Sequence, residues 1–338
     1  MVNEPIGKQS TKALLLSRLR ALGGERVSGE TLAGDIGLSR VAVWKAAESL
    51  RTAGYPIDAD EQGYRLDPAA GDDFLFPWEF GPREGRFRHW TETSSTMDRA
   101  RELAEQRGSG PGIVVVAERQ SAGRGRAGRH WESADGGLFF SLLLPGGMPI
   151  QRYALTGMAV QLAVASALSA LLGSRVSVRW PNDVYVGGRK IAGVLTELRG
   201  EADRVAWIAA GVGVNVNNAV PADHAVSCRE LAGRPLSRRS VLLSILDELE
   251  GREHADLAAA WNAAADGIGE RVELIDAGHG DWEKRGSNGE VRTSGIFLGI
   301  DCYGRSLVRT GNGIMKVEAG TASLVHICRQ KDTPQGVA

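Results

Sequence analysis

Arg119 and the glycine-punctuated stretch that follows it, Gln120-Ser121-Ala122-Gly123-Arg124-Gly125-Arg126-Ala127-Gly128-Arg129, bring Arg119, Arg124, Arg126 and Arg129 together with no carboxylate among them. Glycine lets backbone approach a ligand closely, and planar guanidinium groups fork onto paired oxygens. The stretch therefore suits a phosphate or a phosphate–carboxylate anhydride, although a solvated basic turn has the same composition. Its glycines also fit the G-x-G-x-x-G spacing of a dinucleotide fold, but no apolar helix pattern follows Gly128 and no strand-ending acid stands about twenty residues on. No Gly-x4-Gly-Lys-Ser/Thr P-loop occurs either.

A second candidate joins Arg179-Trp180-Pro181-Asn182-Asp183 to Arg189-Lys190-Ile191-Ala192-Gly193. Asp183 and Lys190 lie seven residues apart across Gly187-Gly188, so a hairpin brings a carboxylate and an ammonium to one end of a two-strand unit. Such a pair serves transfer to an amine, with a point charge for phosphate and a carboxylate for the incoming ammonium. Thr93-Ser94-Ser95-Thr96-Met97-Asp98 opens a helix, where one hydroxyl caps and the others are free to bond a neutral polar ligand. Gly211-Val212-Gly213-Val214-Asn215-Val216-Asn217 is a strand with glycines where something packs against the backbone, be it a ligand or a crowded sheet crossing.

These segments need a frame, and 338 residues is enough for two or three domains. With 43% hydrophobic and 24% charged residues the chain is of the soluble globular kind. A formal charge of −1 excludes polyanion binding through bulk charge, so any nucleic-acid contact must be local. Cys228, Cys302 and Cys328 are too scattered for a zinc knot or disulfide framework and suit a reducing cytoplasm. The start, Met1-Val2-Asn3-Glu4-Pro5, lacks the pattern of a secretion signal, and apolar Leu155 to Leu172, broken by Thr156, Gln161, Ser166 and Ser169, reads as a buried helix. No membrane association is expected.

From Phe87 to about Val220, strand-like runs at Ile113–Ala117, Leu138–Leu144, Val176–Arg179, Val184–Val186, Ile191–Leu198 and Val205–Val214 surround helices at Thr96–Arg107 and Arg152–Leu172. Hairpin-length turns at Gly187-Gly188 and Gly200–Asp203 predict a mixed or antiparallel sheet. A helical stretch, Arg238 to about Ala265, leads to short runs at Arg271–Leu274, Glu290–Ile300, Ser306–Arg309 and Ile314–Val317, the pattern of a small β-barrel.

Ahead of these, Lys12–Leu22 is a helix stopped by Gly23-Gly24, Ser28 opens a second helix ended by Gly37, and Ser39 caps a third from Arg40 to about Thr52. Tyr55–Ile57 and Tyr64–Leu66 then read as strands of a wing, and Asp67–Gly85 as a connecting passage. This is a helix-turn-helix pattern, equally that of a helix pair that merely packs. Arg40, Lys45 and Arg51 lie outside the third helix's apolar face, placed for phosphates or base edges. The zone through Asp67 carries nine basic and nine acidic residues, so binding would profit from a dimer.

Together, Ser95–Asp98, Gln120–Arg129, Trp180–Asp183, Arg189–Gly193 and Gly213–Asn217 resemble, in order and spacing, the bifunctional biotin–protein ligase and biotin-operon repressor family, the BirA type. The resemblance implies an α+β multidomain chain: a winged helix-turn-helix at 1–67, a mixed-sheet ligase domain like class II aminoacyl-tRNA synthetases at 86–268, and an SH3-like β-barrel at 269–330. It implies that biotin and MgATP form biotinyl-5′-AMP, and that a lysine of the biotin carboxyl carrier protein of acetyl-CoA carboxylase then accepts biotin. Ser95, Thr96 and Gln120 would bond the ureido ring, with Met97 beside them where some members carry Asn. Arg124, Gly125 and Arg126 would order over the phosphate and carboxylate, Lys190 would neutralise them, and Asp183 would position or deprotonate the acceptor amine. Ala127 replaces a second basic residue of some loops. Metal ligands are not indicated. The adenylate as corepressor, operator DNA as partner, a ligand-promoted homodimer and a cytoplasmic location complete the family's implications. The alternatives are a ligase whose N-terminal domain does not regulate, a metabolite-sensing transcription factor, and a related lipoate ligase or octanoyltransferase.

Overall fold

The computed structural model describes residues 9–68, 73–107, 112–147, 149, 153–201, 204–221, 223–251, 256–276, 292–319 and 322–326. Met1–Pro5, Arg152, part of the Gly200–Asp203 turn, Glu290 and Cys328 lie outside the described residues.

Serine caps set the N-terminal unit. Ser10, Ser28 and Ser39 accept from the backbone amides of Ala13, Thr31 and Ala42, opening α1 (Thr11–Ala21), α2 (Gly29–Ile36) and α3 (Arg40–Thr52). Gly37 closes α2 in the left-handed region, at φ 68°. Leu15, Leu16, Leu19, Leu32, Val43 and Leu50 fill one small core. The wing is β1 (Ile57–Asp60) paired antiparallel with β2 (Gly63–Leu66). β1 starts two residues later than the sequence suggests, because the Tyr55 amide closes α3 by bonding Leu50 carbonyl and Pro56 has no donor.

The passage after Asp67 is not a loose connector. Phe74, Phe76 and Trp78 pack on the N-terminal core, while Leu75 and Phe80 are buried in the central one. The 3-10 turns of Pro77–Arg86 bury Glu79, whose carboxylate accepts from Arg20 at 2.7 and 3.0 Å and from the Tyr55 hydroxyl.

The central sheet holds β3 (Phe87–Thr93), β4 (Ile113–Gln120), β5 (Leu138–Pro145), β6 (Ser177–Arg179), β7 (Asp183–Val186), β8 (Arg189–Glu201) and β9 (Arg204–Val214), in the order β3-β4-β5-β9-β8-β7-β6. Among the described residues of this sheet only β3 and β4 are parallel, with α4 (Thr96–Arg107) between them in sequence, so the sheet is mixed as expected. β3 escapes the apolar pattern because it is a half-exposed edge. The apolar helix α5 (Tyr153–Leu172) is buried along its middle against the sheet. Then follow α6 (Cys228–Ala232), α7 (Arg238–Glu250) and α8 (Leu257–Ala264). The single helical stretch expected to Ala265 is two helices: the Gly251 amide closes α7 and the Asp256 side chain caps α8.

The C-terminal sheet is antiparallel: β10 (Arg271–Asp276), β11 (Arg292–Ile300), β12 (Ser306–Thr310), β13 (Gly313–Val317) and β14 (Ala322–His326), in the order β13-β12-β11-β10-β14. Val272, Phe297, Ile300 and Val308 join the same buried cluster as Trp180 and Trp261, so this sheet shares the central core.

Candidate active site

Strand register assembles the site. Trp90, Ala117, Phe139, Gly213, Gly193, Asp183 and Arg179 lie opposite one another in turn, a row across all seven strands. Directly paired residues share a face, so Gly213, Gly193 and Asp183 point the same way. The Gly187-Gly188 turn, with φ of 55° and 80°, sets Lys190 opposite Tyr185, which shares Asp183's face. A bulge at Ile191 then brings Gly193 rather than Ala192 opposite Asp183. Lys190 Nζ lies 2.6 Å from Asp183 Oδ1, the juxtaposition expected from their spacing.

The glycines are a floor. A Cβ at Gly213 would stand 2.4 Å from the Trp131 ring, and one at Gly193 would stand 3.0 Å from that ring and 3.4 Å from Lys190 Cε. A Cβ at Gly211 would meet Met97 Cγ at 2.8 Å. What packs on the glycine strand is therefore Trp131 and Met97. Trp131 gave little signal beyond being the one aromatic residue next to the arginines; its ring centroid is 5.2 Å from Lys190 Nζ, and its buried Nε1 has no hydrogen-bond partner among the described residues.

At the start of α4, Gln120 Oε1 accepts from the Thr96 amide at 2.8 Å and the Thr96 hydroxyl at 3.1 Å, while its Nε2 donates to Ser133 Oγ at 3.0 Å. Ser141 Oγ donates to the Thr96 hydroxyl, and Ser95 Oγ accepts from the Met97 amide. Ser95, Thr96 and Met97 are all buried, so the structure gathers these residues and Gln120 into one cluster.

The arginine loop is more compensated than its sequence suggests. Arg124 forks onto Asp98 at 2.7 and 3.1 Å, and Arg119 pairs with Asp135. The Arg124 hydrogen bond holds the Asp98 carboxyl below its ordinary range. The loop closes on itself: the Gly125 amide bonds Arg129 carbonyl at 2.7 Å and the Trp131 amide bonds Gly123 carbonyl at 2.9 Å. Ala127 sits at φ 55°, a left-handed conformation unfavourable for a residue with a Cβ. Arg126 reaches across to Ala319 carbonyl beside the C-terminal sheet; burial lowers its pKa, opposed by the charge of Asp183.

Gln161, read from sequence only as an interruption, is fully buried in α5. Its Nε2 donates to the carbonyls of Arg179 at 2.9 Å and Asp183 at 2.7 Å, and its Oε1 accepts from Trp261 Nε1 at 2.8 Å. It thus clamps both ends of the turn that carries the cis Trp180-Pro181 bond and Asp183. The Lys190 backbone is held in turn by His224 carbonyl and the Val226 amide.

The sum is a site where two cations, Lys190 and Arg126, and one carboxylate come together beside a glycine floor, next to a cluster of neutral hydrogen-bonding groups. That arrangement can bring two anions together and admit an amine. Far from it, Arg40, Lys45 and Arg51 are exposed on α3, with Arg51 paired to Glu48 at 3.0 Å. Among the described residues no group of three or more His, Cys, Asp or Glu could hold a metal ion.

Residues 90–215 match the biotin/lipoate A/B protein ligase family and residues 11–65 an HTH domain. The chain is 33% identical to the bifunctional ligase/repressor BirA of Bacillus subtilis, over 92% of this chain and 97% of that one. It is 31% identical to that of Escherichia coli, over 91% and 95%. The solved biotin protein ligase of Aquifex aeolicus in complex with biotin and ATP superposes with a TM-score of 0.58 at 29% identity, covering 72% of this chain and 99% of that one.

Proposed function

The chain belongs to the family of bifunctional ligase/repressor BirA proteins, and from this premise we propose how its parts divide the work. It is a biotin–protein ligase that uses ATP, with a DNA-binding repressor domain, and its partners are a biotin carboxyl carrier protein and DNA. Biotin rather than lipoate is the substrate, since relatives matching 64% and 67% of the chain are biotin–[acetyl-CoA-carboxylase] ligases and the Aquifex aeolicus structure is a biotin protein ligase.

In our reading the biotin carboxylate attacks the α-phosphorus of ATP, pyrophosphate leaves, and the acceptor lysine's amine then displaces AMP from biotinyl-5′-AMP. Ser95, Thr96 and Gln120 bond the ureido ring, with Met97 packed beside them as an apolar wall. Lys190 and Arg126 offset the repulsion between carboxylate and phosphate, and Arg124 and Gly125 shape the loop over them. Lys190 exchanges Asp183 for the ligand's anionic oxygens, which leaves Asp183 available to take the proton of the incoming ammonium. The 2.6 Å Lys190–Asp183 pair beside the glycine floor is the observation that carries this reading. Mg2+ arrives on the triphosphate, in keeping with its preference for phosphate oxygens and few protein ligands.

We assign residues 1–67 to a winged helix-turn-helix, 86–268 to a ligase domain of the class II aminoacyl-tRNA-synthetase kind and 269–330 to an SH3-like barrel. Arg40, Lys45 and Arg51 contact operator DNA, the adenylate promotes a homodimer, and the protein works in the cytoplasm, where Cys228 and Cys302 stay reduced. Incubation with biotin, MgATP and a carrier domain, followed by mass spectrometry, is expected to find one biotinylated lysine and released AMP. Transfer of lipoate in place of biotin would overturn the substrate, and an adenylate-independent mobility shift would overturn the regulatory half.

A further inference from the structure

Helix α3 carries two stripes. Val43, Ala46, Ala47 and Leu50 are buried at i, i+3, i+4 and i+7. Val41, Trp44, Lys45 and Glu48 repeat that spacing two residues earlier, about 200° round the helix, and all face solvent. Val41 is 61% exposed and Trp44 56%, the two most exposed large apolar side chains of the N-terminal unit. They stand one turn apart in the first half of α3, where a recognition helix meets base edges.

The charge around them selects the occupant. The first turn of α3 has no acidic residue, Arg40 and Lys45 flank the pair, and Glu48 is occupied by Arg51. A second copy docking here would set these cations against their equivalents. Acidic side chains outnumber basic ones on the wing, where Asp58, Asp60 and Glu61 are exposed beside the one exposed Arg65 and Arg26 is spent on the two aspartates.

We infer that Val41 and Trp44 read duplex DNA by apolar contact with thymine methyl groups in the major groove, with Arg40 and Lys45 holding the flanking phosphates. Thymine alone presents a methyl group there, so an apolar pair on a recognition helix distinguishes it. The inference rests on the repressor reading and adds the base chemistry to it.

The test uses the full chain with biotin and MgATP. Duplexes enriched from a random pool are remade with each selected thymine replaced by deoxyuridine, which deletes only the methyl group. At one or two positions per half-site binding is expected to weaken about fourfold, the worth of one buried methyl-sized group. Val41→Ala or Trp44→Ala should erase the penalty at its own position, with the melting temperature unchanged. Lys45→Ala should instead weaken every duplex alike and flatten the salt dependence. Deoxyuridine tolerated at every position, or a penalty surviving both apolar substitutions, overturns the inference while leaving DNA binding intact. Failure to enrich any duplex overturns the repressor reading and this inference together. An altered sedimentation of the DNA-free Trp44→Ala chain, with the penalty retained, would make the patch a contact between copies.

Discussion

Lys190 is held 2.6 Å from Asp183, so the role proposed for it requires its ammonium to exchange that carboxylate for the ligand's oxygens. On that proposal Lys190→Ala leaves two anions facing one another and is expected to slow adenylate formation on the order of 100-fold or more, read as loss of the pyrophosphate burst. Arg126→Gly should chiefly shorten adenylate retention, measured as faster dissociation of labelled biotinyl-5′-AMP. Near-normal burst and dissociation in both variants would refute these roles. Gly213→Ala puts a methyl group 2.4 Å from the Trp131 ring, which cannot stay where it is. Biotin binding measured calorimetrically should fall roughly tenfold, about 1.4 kcal/mol, while the backbone, which is extended there, accepts alanine without strain. At this scale the sequence was informative where chemistry is local: a hairpin's two glycines suffice to place Asp183 and Lys190 together. It did not show Asp98 against Arg124 or Trp131 against Gly213, because these partners are joined by folding and not by spacing.

Elements were legible wherever a local device defines them. The serine caps of α2 and α3 and the closing Gly37 of α2 need no tertiary context, whereas α6, β3 and β14 escaped because short or edge elements have no strong period. Gln161 shows what an element can hide. A polar residue in the middle of an apolar helix reads as a blemish until Arg179, Asp183 and Trp261 are brought to it. Gln161→Leu strands two carbonyls and an indole donor in the core. A loss of at least about 3 kcal/mol is expected in urea unfolding, from roughly 1–3 kcal/mol for each of the three groups left unpaired. A second buried polar centre ties β4 to α7: Arg238 donates to Glu118 at 2.6 Å and to Asp73 at 2.8 Å, and His89 meets Glu118 at 3.0 Å. Burial works to raise the Glu118 carboxyl, but His89 and Arg238 outweigh it and hold the group below its ordinary 4.5. A depressed carboxyl stabilises the fold above its unfolded value and loses that contribution as pH falls through the folded one. Glu118→Gln should therefore melt lower than the parent at pH 7, with the gap narrowing as both are titrated below about 4.5.

The whole molecule is less divisible than three compositional zones suggest. A passage rich in Pro, Gly and Asp looks like a tether, yet Phe74-Leu75-Phe76-Pro77-Trp78 sends alternate side chains into two cores, one on either side. Neither end of that segment offers a clean place to cut. A chain trimmed to begin at Phe87 would lack Leu75 and Phe80, and voids of that size cost about 2–5 kcal/mol each. A chain begun at Asp73 keeps both, but lays bare Phe74, Phe76 and Trp78. Calorimetry of the intact protein should accordingly give one melting event, and the Phe87 version should melt well below it. For anyone wishing to borrow the ligase as a free-standing labelling reagent, the practical lesson is to redesign the exposed aromatic rim, keeping Leu75 and Phe80, before discarding the reader of DNA.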